Sequence, residues 1–204
     1  MKEKLLQHAI IAIIRGVAPA DVPAIIDALY QGGIRAAEIT LNSDGALPLI
    51  AQLRTQYDHT MLIGAGTVLS AADALEAIAA GAQFIISPSL DVETIAVTRA
   101  QGVVSIPGAY TATEIVQAHA AGADIVKVFP ASSPQYIKDL RGPLNHIPLM
   151  PTGGVNLQSI HAFKAAGAVA FGIGSALVDS KETVTAAYLS KLRDTAMAFV
   201  EAIR

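Results

Sequence analysis

The residues best suited to covalent chemistry are a lysine and a glutamate set into apolar strands. Lys127 interrupts GADIVKVFP, Gly122 to Pro130, where Ile125, Val126, Val128 and Phe129 read as a strand buried on both faces. Taking an ammonium out of water is costly, so burial there favours the neutral amine and lowers its pKa. A free amine attacks a ketone to form a Schiff base, whose iminium acts as an electron sink. Glu38 is the second charge inside an apolar strand, in IRAAEITL. Carbon–carbon cleavage through an iminium needs a proton taken from a hydroxyl and later delivered to an enamine. One carboxyl with a raised pKa serves both steps, through a bound water. Two plainer readings stand beside these: Lys127 snorkels to a rim and pairs with a carboxylate, and Glu38 is merely an ion partner.

Other polar residues fall at strand ends: Arg15, Asn42, Thr67, Ser87, Thr152 and Ser175. Arg15 opens a tight RGVAP turn, and Thr67 closes LIGAGT, whose two glycines let backbone amides approach a ligand. A guanidinium fork with a hydroxyl suits a carboxylate. The alternatives are a rim salt bridge for Arg15 and a helix N-cap for Thr67. PTGGVN, Pro151 to Asn156, and GIGSAL, Gly172 to Leu177, follow the last two strands. Glycine amides and the Ser175 hydroxyl there suit an anion such as phosphate, with plain turns as the alternative.

A repeating unit must position these groups. A helical stretch, a glycine and a short apolar strand recur in YQGGIRAAEITL, AAGAQFIIS, AQGVVSI, AAGADIVKVF and AAGAVAFGIG. Gly81, Gly102 and Gly122 are spaced by about 20 residues, one compact helix–loop–strand unit, and each reads as a left-handed helix C-cap. Eight strands are expected near residues 9–14, 36–41, 61–65, 83–87, 103–106, 124–128, 147–151 and 169–173. Strict alternation with amphipathic helices gives a parallel sheet, most simply closed into one (β/α)8 TIM barrel over residues 1–204. An open doubly wound sheet is the runner-up. In such barrels the chemistry sits at the C-terminal strand ends, where the polar residues above fall.

Composition narrows the rest. Of 204 residues 52% are hydrophobic, the net charge is -3, and there is no cysteine. Disulfides, thiolate chemistry and cysteine-bound metals are excluded. No basic run points to nucleic acid, and the early apolar run, Ala9 to Ile14, is too short to span a membrane. A cytoplasmic protein is the expectation. His8, His59, His119, His146 and His161 show no metal-ligand spacing and read as surface or packing residues, so neither metal nor cofactor is expected. Asp44, Asp58, Asp73 and Asp91 read as turn or capping residues.

AEITLNS, GAGTVL, ISPSLD, IPGAYTATE, VKVFPAS and PTGGVN together resemble the 2-keto-3-deoxy-6-phosphogluconate and 4-hydroxy-2-oxoglutarate aldolases, over nearly the whole chain. The resemblance implies a metal-independent class I aldolase on a (β/α)8 barrel, usually a homotrimer. It implies Lys127 as the Schiff-base lysine, Glu38 as acid/base, and Thr67 and Pro88 around pyruvate, with Phe129 beside the lysine. Gly153, Gly154 and Ser175 would then hold phosphate, with Gly174 in the same loop. One departure stands out: the phosphogluconate enzymes read LRT where this chain reads LNS, so Asn42 replaces a carboxylate-gripping arginine. Arg15 in IIRG resembles the phosphogalactonate branch instead. The implied reaction releases pyruvate and D-glyceraldehyde 3-phosphate, with the C4 configuration open. The alternatives are a 4-hydroxy-2-oxoglutarate aldolase, a phosphosugar epimerase or isomerase on the same barrel, and a non-catalytic phosphate-binding protein.

Overall fold

The structure is a computed structural model that describes residues 1–204. A short helix α1 (Lys2–His8) precedes β1 (Ile10–Ile14), α2 (Val22–Gln31), β2 (Ala36–Thr40), α3 (Ala46–Gln56) and β3 (Leu62–Gly66). Then come α4 (Ala71–Ala79), β4 (Phe84–Ile86), α5 (Val92–Ala100), β5 (Val104–Ile106) and β6 (Gly108–Ala109). The chain continues through α6 (Ala112–Ala120), β7 (Val126–Val128), α7 (Pro134–Arg141) and β8 (Leu149–Pro151). It closes with α8 (Ile160–Ala165), β9 (Phe171–Ile173) and α9 (Ala186–Ala202).

Every strand pairing is parallel, and the strands form two curved sheets in the orders β5-β4-β3-β2-β1-β9 and β6-β7-β8. The expected fifth strand, near 103–106, is β5, and Pro107, which has no N–H for the ladder, separates it from a further short strand, β6. β5 pairs with β4 and β6 with β7, so nine segments stand where the sequence pattern predicts eight. Main-chain bonds also cross between the sheets. Asp124 N donates to Ser105 O at 2.9 Å, and Val169 N donates to Leu149 O at 3.0 Å. Thr152 pairs with Gly172.

The repeated glycines do what their spacing predicts. Gly33, Gly81, Gly102, Gly122 and Gly167 all have positive φ, between 69° and 101°. The residue after each donates back across the helix end, as Ile34 N does to Leu29 O and Ala82 N to Ala77 O. These closures end each helix in a fixed direction and start the next strand. Helix starts are equally local: Ser70, Asp91, Thr111, Ser133 and Thr185 cap α4, α5, α6, α7 and α9, with a capping box at Thr111 and Glu114.

Two apolar clusters result. The larger, of 49 residues, includes the helix faces, for example Ile25, Ile26 and Leu29 of α2. The smaller, of 11 residues, joins Ile11, Ala36, Leu62, Phe84, Val104, Ile125, Met150 and Ala170, among others, with Leu5 of α1. Each expected strand region supplies at least one member. Because side chains on one face recur every second residue, Glu38, Lys127 and Thr152 share the face of Ala36, Ile125 and Met150, one step nearer the C-terminal ends.

Candidate active site

Lys127 is 2% exposed and Glu38 is 1% exposed. Burial pushes the lysine amine below its ordinary range; the Glu38 charge opposes this and the Arg15 charge reinforces it. Burial pushes the Glu38 carboxyl up, against the Lys127 and Arg15 charges. No ion pair joins the two, and Glu38 Oε1 has no hydrogen-bond partner. Lys127 thus stays out of solvent, and the two charges act on one another without a direct salt bridge. Glu38 fits because the facing strand carries glycine, since a Cβ on Gly66 would stand 2.5 Å from Oε1. The amine lies 5.0 Å from the centre of the Phe129 ring.

Arg15 is exposed just past β1, and its guanidinium donates to Thr67 Oγ1 at 3.2 Å. It makes no salt bridge. Thr67 has φ 55° at the end of β3 and is not the cap of α4, a role taken by Ser70. The two residues that the sequence assigns to a carboxylate thus touch, with the guanidinium otherwise unpaired by protein.

A cavity of about 550 Å³ opens at the C-terminal ends of β1, β7, β8 and β9. Arg15, Lys127, Phe129, Gly153, Gly154, Gly174 and Ser175 all line it. Gly153 and Gly154 have successive positive φ values of 82° and 75°, a conformation open only to glycine without strain. No α-helix begins directly after either loop: Leu177 N and Val178 N bond back to Gly174 O as one isolated turn, and α8 starts only at Ile160. No helix N-terminus therefore faces the cavity from these loops, which offer it glycine amides and the Ser175 hydroxyl.

Glu38, Thr67 and Pro88 do not line this cavity, although Glu38 sits within electrostatic reach of Lys127 and Thr67 touches Arg15. Pro88 is half-buried, and its carbonyl packs where a Cβ on Gly108 would lie. The cavity also holds Thr152, Asn156 and Ser180. Thr152 is 4% exposed and its hydroxyl has no partner. Its strand-end position was visible in the sequence, whereas Ser180, six residues beyond Gly174, carries no local signal. None of the five histidines lines the cavity. His119 and His146 pack edge to face at 5.4 Å, and no three acidic or histidine side chains cluster as metal ligands.

A buried lysine and glutamate near the C-terminal strand ends of a parallel α/β scaffold, beside an open cavity, are what this fold presents for enzyme chemistry. Comparison with known proteins gives the family. The model for "Aldolase: KDPG and KHG aldolase" matches residues 1–192. The 2-dehydro-3-deoxy-6-phosphogalactonate aldolase of Escherichia coli (strain K12) is 36% identical over 199 residues, covering 96% of this chain and 94% of that protein. A native KDPGal structure superposes with a TM-score of 0.88 at 35% identity, covering 95% of this chain and 93% of the other. The KDPG aldolase of Legionella pneumophila, with pyruvate captured as a covalent carbinolamine, superposes with a TM-score of 0.84 at 25% identity, over 97% of both chains. The chain belongs to the KDPG and KHG aldolase family, and it is a carbon–carbon lyase.

Proposed function

We propose that the protein is a Schiff-base aldolase that reversibly cleaves a 2-keto-3-deoxy-6-phospho sugar acid, of phosphogluconate or phosphogalactonate type, to pyruvate and D-glyceraldehyde 3-phosphate. The observation that carries this reading is the Lys127 amine, buried among apolar strands, pushed toward its neutral form and opening on the cavity. Lys127 adds to the C2 ketone, and the carbinolamine loses water to leave the iminium. Glu38, through a water, takes the C4 hydroxyl proton. The C3–C4 bond breaks, its electron pair moves into the iminium to form the enamine, and C4 leaves as an aldehyde. Glu38 then returns the proton to C3, and hydrolysis releases pyruvate and the free amine.

Arg15, steadied by Thr67, receives the keto-acid carboxylate, and Pro88 and Phe129 bound the pyruvate moiety. Gly153, Gly154, Gly174 and Ser175 hold the phosphate, whose binding energy positions C4. The same reading takes residues 1–204 as one domain and the two sheets as a closed (β/α)8 barrel. The inner cluster with members from all eight strand regions, and the bonds crossing between sheets, support closure. A cytoplasmic homotrimer completes it. Exposed Leu69, Val92 and Tyr110, near the starts of α4, α5 and α6, offer apolar surface for association, and no helix is long and apolar enough to cross a membrane.

Borohydride reduction in the presence of pyruvate tests the chemistry: peptide mass mapping should find the adduct on Lys127, and an unlabelled Lys127 overturns it. Steady-state kinetics on the two C4 epimers assign the substrate, and sedimentation equilibrium checks the trimer.

A further inference from the structure

The strand-end turn that carries Arg15 is held from the neighbouring strand by an unbroken chain of hydroxyls. Gly16 N donates to Ser43 Oγ at 2.9 Å. Ser43 Oγ and Thr40 Oγ1 are 2.8 Å apart, and Thr40 Oγ1 donates to Ile14 O at 3.2 Å. Thr40 has one hydroxyl proton and spends it on the Ile14 carbonyl, so Ser43 must be the donor between the two. The direction is then fixed throughout: Gly16 N–H to Ser43, Ser43 O–H to Thr40, Thr40 O–H to Ile14 C=O. Such a chain strengthens its members cooperatively, and its Thr40 end is fully buried.

Its two ends are the peptide groups on either side of Arg15. With both peptide planes anchored to the β2 end, φ and ψ of Arg15 have little freedom left. The far end of the side chain meets Thr67. Arg15 itself is exposed and makes no ion pair, so apart from the Thr67 contact these backbone anchors are what restrict where its guanidinium points.

We propose that Thr40 and Ser43 are positioning residues that preorganise Arg15 for the substrate carboxylate. This rests on the aldolase reading above. Neither hydroxyl touches the reacting atoms; they act by keeping an arginine on an exposed rim turn in one orientation, which lowers the ordering cost of binding. Asn42, at the position where the resembling phosphogluconate enzymes carry their arginine, is exposed and takes no part in the chain.

The test is condensation kinetics with pyruvate and D-glyceraldehyde 3-phosphate. Ser43→Ala, which removes the hydrogen bonds to both Gly16 and Thr40, should raise the KM for pyruvate about 5- to 10-fold and leave the KM for the aldehyde unchanged. Ser43→Thr, which keeps the hydroxyl, should restore the pyruvate KM. In an Arg15→Ala background, Ser43→Ala should add nothing. An unchanged pyruvate KM in Ser43→Ala overturns the proposal, as does an equal rise for both substrates or a full further loss without Arg15. If wild-type protein forms no borohydride-trapped adduct with pyruvate, the aldolase reading itself falls and takes this one with it. An adduct with an unmoved pyruvate KM removes only the positioning role.

Discussion

At the N-terminal end of the strands the inward side chains include Ala36, Ile125 and Met150; two residues further along, the same strands carry Glu38, Lys127 and Thr152. Both levels are almost free of solvent, with Ile125 at 0% and Lys127 at 2% exposure. The lower level meets only apolar neighbours and contributes cohesion. The upper level buries two ionisable groups, one of them with an unpartnered oxygen, and an unpartnered threonine hydroxyl. Burial of such groups opposes folding, and the strain appears as opposite pKa displacements on Lys127 and Glu38. The difference teaches where burial costs stability: one step along three strands, on an unchanged backbone.

The largest expected effect removes the amine. Lys127→Met should abolish pyruvate release and the borohydride-trapped adduct while the fold survives, and retained turnover would sink the upper level as the catalytic one. Next, Glu38→Gln should lower kcat by about 10²–10⁴ yet still form the adduct with pyruvate. A loss of adduct as well would mean that the carboxyl is needed only to place the lysine. In the lower level the signature reverses. Ile125→Ala should cost about 2–5 kcal/mol of stability by denaturant unfolding, with KM unchanged in the fraction that remains folded.

The smallest effect sharpens the contrast most. The double variant Lys127→Met, Glu38→Gln should match or modestly exceed the wild type in stability, because it removes two buried ionisable groups that no salt bridge joins. Its advantage has a defined pH window. Glu38, with its folded pKa raised, stabilises fully below its unfolded pKa, and that contribution is lost as pH rises through the folded value. Lys127, with its folded pKa lowered, does so above its unfolded pKa and loses it as pH falls through the folded value. The gap to wild type is therefore widest near neutrality and narrows toward both acid and alkali. A gap that grows steadily in one direction would contradict burial as the cause.

Much of the scaffold was readable along the chain because its instructions are local. The glycine closures at Gly81, Gly102 and Gly122, and the caps at Asp91 and Thr111, involve residues within six positions of one another, and the apolar runs between them mark the strands. Lys127 and Glu38 stood out for the same reason: each is a charge in a segment whose neighbours are apolar on both sides. The extra short strand β6 after Pro107 has no counterpart in the sequence pattern, although proline's missing N–H is a local fact, because it matters only once β5 and β6 pair with different neighbours.

Sequence alone determined the helix–glycine–strand rhythm, the apolar strands and the two misplaced charges, since propensity and periodicity act over a few residues. Tertiary structure alone decided that Arg15 meets Thr67 across 52 positions and that Ser43 anchors the turn after Arg15. It also brought Lys127 and Ser175 to one cavity. Those contacts depend on how the strands lie beside one another, and that order comes from burying shared apolar surface rather than from any single stretch of residues.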